Sequence, residues 1–306
     1  MAFKVALLCL AILLGSNAFP LEKEQDMSIF FDYTDASARI VGGSNVDDVA
    51  HQVALTTGSG TRSFFCGGCL ISNTHVLTAA HCMRPLGGNE PSRQMTESKY
   101  HSHTVTDRLD DDGDIKHERR VLTLRGWSGT NSWASGGTPM EFSSGLMHPL
   151  YNFNTIKNDI GIYTVNTNFA FSVAVKFIAL NWDFIGPNVQ TKVTGWGSTR
   201  QGGLYSATLK ELHAPTVDGE HCVNEVRRVA AEVNIRVPPV DPAVEICTFH
   251  SPGRGTCNGD SGSPLVRTDR NQLIGVVSWG IPCARGAPDM FVRVSAYRTW
   301  IEKAIR

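Results

Sequence analysis

From residue 40 onward, the chain alternates short runs of β-branched and aromatic residues with Gly, Pro, Asn and Ser. Many short apolar runs separated by turn residues are typical of an all-β barrel or sandwich. One segment differs, because Tyr297, Trp300, Ile301, Ala304 and Ile305 have the spacing of one helical face and predict a helix at 295–306. No other segment looks helical. The predicted strands lie at 52–55, 75–79, 160–165, 191–195, 273–279 and 290–294.

The first 39 residues have a different character. Residues 1–18 place Lys4 before an apolar run and small residues, as a signal peptide does; the alternative, a membrane anchor, needs ~20 apolar residues, about twice that run. Residues 19–39 carry five carboxylates against Lys23 and Arg39 and contain no cysteine. We interpret them as a removable activation pro-segment, cut after Arg39, of a secreted extracellular protein.

Charge and cysteine content narrow the class of protein. The net charge of −1 gives no strong field to attract a phosphate backbone, so we expect no nucleic-acid partner, and no later run is apolar enough for a membrane span. Loss of Cys9 with the signal peptide leaves seven of the eight cysteines. In an oxidising compartment these form disulfides and leave one thiol over.

The stretch from 84 to 120 is polar and reads as a long surface loop. Its acidic cluster at 110–114 is followed by residues whose spacing does not fit a calcium-binding EF-hand loop. A solvated loop tip is the preferred interpretation, and calcium binding by the 110–118 segment is left open.

Three residues together suggest nucleophilic catalysis. Ser261 lies between Gly259-Asp260 and Gly262, where the backbone can turn tightly and two amides can converge on an oxyanion. A serine hydroxyl needs a base to accept its proton, and His81, between an apolar strand and Cys82, is the best-placed imidazole. Asp159 opens an apolar strand, where a carboxylate would be partly buried and would need a donor.

Residues 40–306 resemble the chymotrypsin and trypsin family of secreted serine proteases. The resemblance rests on five motifs in the family's order: Arg39-Ile40-Val41-Gly42-Gly43, Thr78-Ala79-Ala80-His81-Cys82, Asn158-Asp159-Ile160, Gly259-Asp260-Ser261-Gly262 and Ser278-Trp279-Gly280. The order His, Asp, Ser excludes the α/β-hydrolase and subtilisin arrangements. It implies one peptidase domain of two six-stranded antiparallel β-barrels, at about 40–170 and about 187–294, followed by a C-terminal α-helix at 295–306.

The resemblance also implies a role for each site residue. His81 would act as general base and then general acid, Asp159 would orient it, and Ser261 would attack the peptide carbonyl. The amides of Gly259 and Ser261 would form the oxyanion hole. Substrate would pair as an extended strand along Ser278, Trp279 and Gly280. This chemistry requires no cofactor and no metal.

Activation and disulfides follow from the same comparison. Cleavage after Arg39 would free an ammonium at Ile40, which would fold inward to pair with Asp260. The implied disulfides are Cys66 with Cys82, Cys222 with Cys247, and Cys257 with Cys283. Cys69 remains, and a buried apolar thiol is preferred over intermolecular pairing.

This chain departs from the family at several places. The interval from His81 to Asp159 is longer than usual, which locates an insertion in the 84–120 loop, and Ser263 replaces the usual glycine. Gly255 occupies the floor of the specificity pocket, where an aspartate would select Lys and Arg. Asp289 stands on the opposite wall, a combination that resembles broad-specificity arthropod proteases, including collagenolytic ones. We expect mixed basic and apolar specificity, unless Asp289 turns to solvent and leaves an apolar slot.

The sequence leaves two alternatives to a digestive endopeptidase. A catalytically silent homologue would act as a binding protein, but such chains usually lose a triad residue. A regulatory cascade protease is the second alternative, and the lack of a preceding cysteine-rich module favours digestion over it. The partners expected are protein or peptide substrates, an activating protease and protein inhibitors.

Overall fold

The computed structural model describes residues 40–46, 49–58, 61–83, 123–166, 171–198, 200 and 202–306, together with the backbone of 105–109 and 115–119. The predicted signal peptide and pro-segment lie outside these residues. The strands are β1 (Ser44–Asn45), β2 (Gln52–Thr57), β3 (Ser63–Leu70), β4 (His75–Thr78), β5 (Val105–Leu109), β6 (Ile115–Arg119), β7 (Leu124–Ser128), β8 (Thr138–Met147), β9 (Gly161–Val165), β10 (Ala179–Leu180), β11 (Gln190–Gly195), β12 (Lys210–Pro215), β13 (Glu245–Thr248), β14 (Pro264–Arg267), β15 (Gln272–Trp279) and β16 (Asp289–Arg293). The α-helices are α1 (Gly219–Glu232) and α2 (Arg298–Ala304).

The first unit is a closed antiparallel barrel in the order β2-β3-β4-β9-β8-β7. Its strands are rich in β-branched and aromatic residues whose inward side chains, such as Val53, Leu77 and Ile162, are buried. Because a closed barrel has no free strand edge, all six strands are paired on both sides. The closed barrel thereby holds the end of β4 and the start of β9 next to each other, and with them the loops that follow β4 and precede β9.

The second unit is a sheet in the order β1-β12-β11-β14-β15-β16-β13, with β10 added in parallel to β15. Its two outer long strands approach each other, since Thr216 forms a bridge with Thr248 and the Val217 amide donates to the Cys247 carbonyl at 3.0 Å. Six strands therefore curve into a barrel that is closed by a bridge rather than by a full ladder. The predicted all-β fold with a C-terminal helix is confirmed, with this difference in how the second barrel closes.

The two barrels share one apolar core. The cluster that contains Val53 and Leu77 of the first barrel extends to Val276 and Val292 of the second and to Ile301 of α2. Burial of such side chains is the main favourable term in folding, at about 25 cal/mol per Å² of apolar surface. The core thus holds the barrel ends that carry the candidate site against each other.

The expectation of a single helix is wrong. The chain forms α1, which begins after Asp218; the Asp218 side chain accepts hydrogen bonds from the amides of Glu220 at 2.9 Å and His221 at 3.0 Å. Such an acidic cap satisfies amides that have no partner inside the helix. The buried side chains of α1 follow helical spacing, a signal that was present in the sequence; they are Cys222, Val226, Val229 and Ala230.

The C-terminal segment is helical but divided. A 3-10 turn at Val294–Tyr297 precedes α2, which ends at Ala304 and is therefore shorter than predicted. Tyr297 and Ile301 are its buried side chains, in agreement with the predicted apolar face.

The 84–120 segment is not loop throughout. The backbone of β5 pairs antiparallel with β6, from Val105 opposite Arg119 to Leu109 opposite Ile115. The insertion thus contains a hairpin that the polar composition did not predict. The acidic residues 110–114 lie outside the described residues.

None of the helices in the described ranges is long and apolar enough to cross a membrane.

Candidate active site

His81 lies in a 3-10 turn, Ala80–Cys82, that continues directly from β4. A disulfide joins Cys82 to Cys66 on β3 and so fixes the turn to the barrel wall. The backbone amide of His81 donates to Asp159 Oδ1 at 2.9 Å, and its Nδ1 lies 2.8 Å from Asp159 Oδ2. These two contacts orient the imidazole and favour the tautomer that carries the proton on Nδ1.

Asp159 is 1% exposed, so its carboxylate depends on hydrogen bonds within the protein. It enters the site from a turn in which Asn158 has a φ of 56°, and it precedes β9. Besides the two contacts with His81, the Ser278 hydroxyl donates to Asp159 Oδ2 at 2.6 Å. Ser278 therefore supports the carboxylate in addition to lying on the expected substrate strand, a contact that the sequence motif did not indicate.

Ser261 lies between β13 and β14 of the second barrel and is 8% exposed. Its carbonyl oxygen accepts a hydrogen bond from the Gly67 amide of β3 at 2.8 Å. Gly262 has a φ of 80° and packs so closely that an added Cβ would collide with Thr78 Oγ1 and the Gly67 carbonyl oxygen. Because Thr78 ends the strand that leads to His81, these contacts bring the Ser261 loop and the His81 turn to the same junction.

Two backbone amides next to Ser261 have no backbone acceptor among the described residues. The Asp260 amide donates to the Cys257 carbonyl at 3.1 Å, whereas in the described part of the chain the amides of Gly259 and Ser261 donate to no backbone carbonyl. Gly259 has a φ of 91°, and an added Cβ would collide with the ring of Tyr205. Two such amides flanking Asp260 are suited to donate hydrogen bonds to a negatively charged oxygen.

Asp260 is completely buried beneath this loop. Its Oδ1 accepts from the Gly197 amide at 2.8 Å and its Oδ2 from the Cys257 amide at 3.0 Å. Burial raises the pKa of Asp260 to about 7 against these two donors, and the charge of Asp289 raises it further. No cation contributes to this pKa in the portion of the chain that the structure describes.

Ile40 is fully buried in an apolar cluster of the second barrel that includes Val193, Leu212 and Leu265. The next residue, Val41, exchanges two backbone hydrogen bonds with Gly255, at 3.1 and 3.2 Å. The segment at the expected cleavage site thus reaches into the second barrel beside Gly255, the expected floor of the specificity pocket.

The cysteines are arranged as the resemblance implies. Disulfides join Cys66 with Cys82, Cys222 with Cys247, and Cys257 with Cys283. Cys69 is a free, buried thiol, and burial raises its pKa well above the usual range. The sulfurs of Cys66 and Cys82 cluster with His81 in a grouping that could suit a metal, but their disulfide accounts for it.

A pocket opens beside Ser261. It is lined by Thr256, Cys257, Asn258, Ser261, Val277, Ser278, Trp279, Gly280, Ile281, Pro282 and Cys283. The strand Ser278-Trp279-Gly280 forms one side, and the Cys257–Cys283 disulfide joins two lining segments. The expected floor and wall positions, Gly255 and Asp289, are not among these lining residues, but both adjoin one of them: Gly255 precedes Thr256, and the Thr256 amide donates to Asp289.

Asp289 does not turn to solvent. It is 8% exposed, and its Oδ2 accepts from the Thr256 amide at 2.9 Å. An added Cβ would lie 2.8 Å from Asp289 Oδ2 if built on Gly255, and 3.4 Å from Oδ1 if built on Gly280. Burial raises the pKa of Asp289 to about 7, against the hydrogen bonds from Thr256. The carboxylate therefore occupies the space that the missing side chain at position 255 leaves open.

Ser263, the departure from the usual glycine, is accommodated between the barrels. It is fully buried, and its hydroxyl accepts from Gln52 Nε2 at 3.4 Å. The Gln52 amide oxygen in turn accepts from Thr194 Oγ1 at 2.7 Å. The extra hydroxyl is thus part of a hydrogen-bonded chain that crosses the junction.

A serine, an imidazole and a buried carboxylate at the junction of two β-barrels define the arrangement of a serine hydrolase. The family model described as Trypsin matches residues 40–121 and 116–301. Trypsin delta of Drosophila melanogaster is 30% identical over 267 residues, which are 86% of this chain and 87% of the relative. Trypsin alpha-4 of Lucilia cuprina is 29% identical over 87% of each chain, and chymotrypsin of Phaedon cochleariae is 28% identical over 98% of this chain and 97% of its own. The chain belongs to the trypsin family and is a serine endopeptidase that acts on proteins or peptides.

Proposed function

We propose that this endopeptidase is made as a secreted precursor, is activated by cleavage after Arg39, and cleaves after both basic and apolar residues through His81, Asp159 and Ser261. The observation that carries the catalytic assignment is the Asp159 carboxylate, buried at the barrel junction and bonded to His81 at 2.8 Å. A carboxylate in that position serves to hold an imidazole that must gain and lose a proton.

The proposed reaction proceeds through an acyl-enzyme. His81 Nε2 removes the proton from Ser261 Oγ as Oγ bonds to the carbonyl carbon of the substrate. The carbonyl oxygen becomes negatively charged and accepts hydrogen bonds from the amides of Gly259 and Ser261. His81 then gives its proton to the leaving amine as the C–N bond breaks, and a water molecule repeats the sequence to release the acid. Asp159 accepts the hydrogen bond from His81 Nδ1 and stabilises the imidazolium.

Activation is proposed to supply the cation that Asp260 lacks. A carboxylate whose pKa is about 7 when buried is costly to ionise, and a newly freed Ile40 ammonium in the same barrel would offset that cost. The buried Ile40 side chain and the Val41 hydrogen bonds with Gly255 support this path for the terminus. Pairing would fix Asp260 and thus the amides on either side of it.

The test of activation is the Arg39→Gln variant, which an Arg-directed protease cannot cut at this bond. It should be secreted and folded but silent, because the Ile40 ammonium is never formed. Arg39→Lys, which retains a basic cleavage site, is the matched control. Full activity in Arg39→Gln would rule out this mode of activation.

Mixed specificity is proposed from the position of Asp289. Its carboxylate lies next to Gly255 at the pocket base, where it can pair with a Lys or Arg side chain. In its protonated form the same group carries no charge, and the pocket can accept Leu or Phe at a lower desolvation cost. The Drosophila and Lucilia relatives are named trypsins and the Phaedon relative a chymotrypsin, so both classes of specificity occur among similar chains.

We also propose secretion, a digestive role, and the bounds of the signal peptide (1–18), the pro-segment (19–39) and the peptidase domain (40–306). Secretion is supported by three disulfides, which persist in oxidising compartments, and by the predicted signal peptide at 1–18. An activating protease and protein inhibitors are the proposed partners besides substrate.

The decisive experiment compares matched peptides that differ only in Arg, Leu or Phe before the scissile bond. The protein is cut after Arg39, and Ser261→Ala is the inactive control. Cleavage of basic and apolar peptides, with selective loss of basic cleavage in Asp289→Gly, would support mixed specificity. Failure of the cut, folded protein to cleave any of them would favour the silent-homologue alternative.

A further inference from the structure

The turn that delivers Asp159 is held by the second barrel at successive residues. Ile156 is buried in a cluster with Trp279 of β15, and the hydroxyl of Tyr297 donates to Asn158 Oδ1 at 3.1 Å. Asp159 itself accepts from the hydroxyl of Ser278. The position of Asp159 relative to its own barrel therefore depends on contacts with the other one.

Lys157 adds a charged contact to this set. Its Nζ donates to Glu245 Oε1 at 2.8 Å, and the same oxygen accepts from Trp279 Nε1 at 2.8 Å. The second oxygen of Glu245 accepts from the Asp241 amide at 2.7 Å. One buried carboxylate thus joins the residue two positions before Asp159 to the indole of the proposed substrate strand.

Glu245 is itself held rigidly. Its side chain is 4% exposed, and its backbone carbonyl accepts from Arg293 Nη2 at 3.0 Å. Arg293 also donates to the carbonyls of Ile185 and Pro242, at 2.8 and 3.2 Å. Because Arg293 holds its backbone and the Asp241 amide holds its carboxylate, Glu245 can define the orientation of Lys157 and Trp279 rather than follow them.

The charge balance at Glu245 depends on Lys157. Burial raises the pKa of Glu245, and the Lys157 charge, the Asp241 amide and the Trp279 indole act in the opposite direction. Lys157 is 15% exposed, and its Nζ lies 5.6 Å from the centre of the Trp279 ring, within reach of a cation–π contact. Removal of either charged partner would leave a buried group of the opposite sign, which is strongly unfavourable.

We infer that Glu245 and Lys157 are positioning residues, which hold the Trp279 indole and the Asp159 turn together so that substrate binding and the catalytic carboxylate share one fixed frame. The inference rests on the proposed function, since Trp279 lies on the proposed substrate strand. Without the Glu245 acceptor, a buried indole N–H loses its partner, and the ring has a reason to rotate toward water and into the cleft. This change should weaken the binding of an extended peptide, which lies along Trp279, more than the binding of a substrate confined to the primary pocket.

The test compares an extended peptide with a single-residue ester that carries the same primary residue and leaving group, using the full chain cut after Arg39. Glu245→Met should raise KM for the extended peptide about tenfold, as expected for loss of a hydrogen bond to a charged group, with a change below about twofold for the ester. Glu245→Gln should largely restore KM, because its amide oxygen can still accept the indole N–H. Lys192→Met is the matched control. It breaks the partly exposed Lys192–Glu211 pair at 3.4 Å elsewhere in the second barrel and should leave KM unchanged for both substrates.

The double variant Lys157→Met with Glu245→Met covers the case in which the single variant does not fold. A buried ion pair replaced by apolar groups of similar size often leaves stability unchanged, so the double variant should fold while KM for the extended peptide stays raised. Equal losses on both substrates, or a wild-type KM in the double variant, would overturn the inference. If the cut wild-type chain cleaves neither substrate, the proposed function fails and the inference fails with it. If the wild type cleaves both and the Glu245 variants have the wild-type KM for the extended peptide, only the inference is overturned.

Discussion

The clearest prediction concerns the ionisation of Asp289, the residue proposed to select basic substrates. Burial raises its pKa to about 7, so the carboxylate changes charge within the pH range in which the enzyme can be assayed. A Lys or Arg side chain pairs with the ionised form, whereas an apolar side chain is better accommodated beside the neutral form. Selectivity between basic and apolar substrates should therefore depend on pH.

The size of the effect follows from that pKa. Because kcat/KM reports groups of the free enzyme, its value for an Arg substrate should follow the ionised fraction of Asp289, about one tenth at pH 6 and about nine tenths at pH 8. This corresponds to a rise of about tenfold in kcat/KM for Arg between pH 6 and pH 8, and the ratio of Arg to Leu should rise at least as much, because Leu is better accommodated beside the neutral form. Both substrates use the same catalytic residues, so any pH dependence that the two reactions share cancels when the two values are divided.

The assay measures kcat/KM for paired Arg and Leu peptides from pH 5.5 to 9 and plots their ratio. Asp289→Asn keeps an oxygen that can accept the Thr256 amide but carries no charge, so its ratio should be low and independent of pH. Asp183→Asn removes an exposed carboxylate that lies 3.9 Å from Arg270, and it should leave the wild-type curve unchanged. A flat ratio in the wild type, or an unchanged curve in Asp289→Asn, would refute the reasoning.

The same pKa also predicts a change in stability. Since the folded-state pKa of Asp289 is raised from 3.8 to about 7, the folded protein holds the proton where the unfolded chain has already lost it. Its contribution to stability is therefore fully present below pH 3.8 and is lost as pH rises towards about 7, a loss of about 4 kcal/mol by linkage. Asp289→Asn should raise Tm relative to wild type at pH 8 but not at pH 4, as measured by thermal unfolding.

Three further predictions test single contacts. Ser278→Ala removes the 2.6 Å donor to Asp159 and should lower kcat/KM about tenfold with little change in Tm, whereas equal activity would show that the contact is dispensable. Gly262→Ala places a Cβ against the Gly67 carbonyl oxygen at a φ of 80°, and should lower the free energy of unfolding by more than ~2 kcal/mol in denaturant titration; a small effect would mean that the loop can move away. The buried thiol of Cys69, with its raised pKa, should resist an alkylating reagent until the protein is unfolded, and rapid labelling of the folded protein would contradict its described burial.

Local pattern was sufficient where a segment has a strong apolar signal. The predicted strands at 52–55 and 273–279 agree with β2 and β15 to within two residues, because both strands are buried along nearly their whole length and such burial favours short apolar and β-branched runs. The C-terminal helix follows from the helical spacing of its apolar residues. Helix α1 was missed although Asp218 and the spacing of its buried residues were visible, since many charged residues obscured its apolar face.

The hairpin of β5 and β6 is an element that the sequence pattern did not predict. The stretch around it is largely polar, yet the backbones of Val105–Leu109 and Ile115–Arg119 pair antiparallel. Polarity alone was therefore a poor guide to loop structure.

The sequence by itself determined the family, the order of the motifs and the candidate residues His81, Asp159 and Ser261, because these depend on residue type and chain order. Only the tertiary structure decided the direction of Asp289, the support of Asp159 by Ser278, and the link from Lys157 through Glu245 to Trp279. Each of these contacts joins residues that are distant in sequence, and their geometry is set when two barrels close and pack against each other. Burial also sets the pKa values of Asp260 and Asp289, which are raised because both carboxyl groups are removed from solvent, and no local sequence pattern shows which carboxylates will be buried.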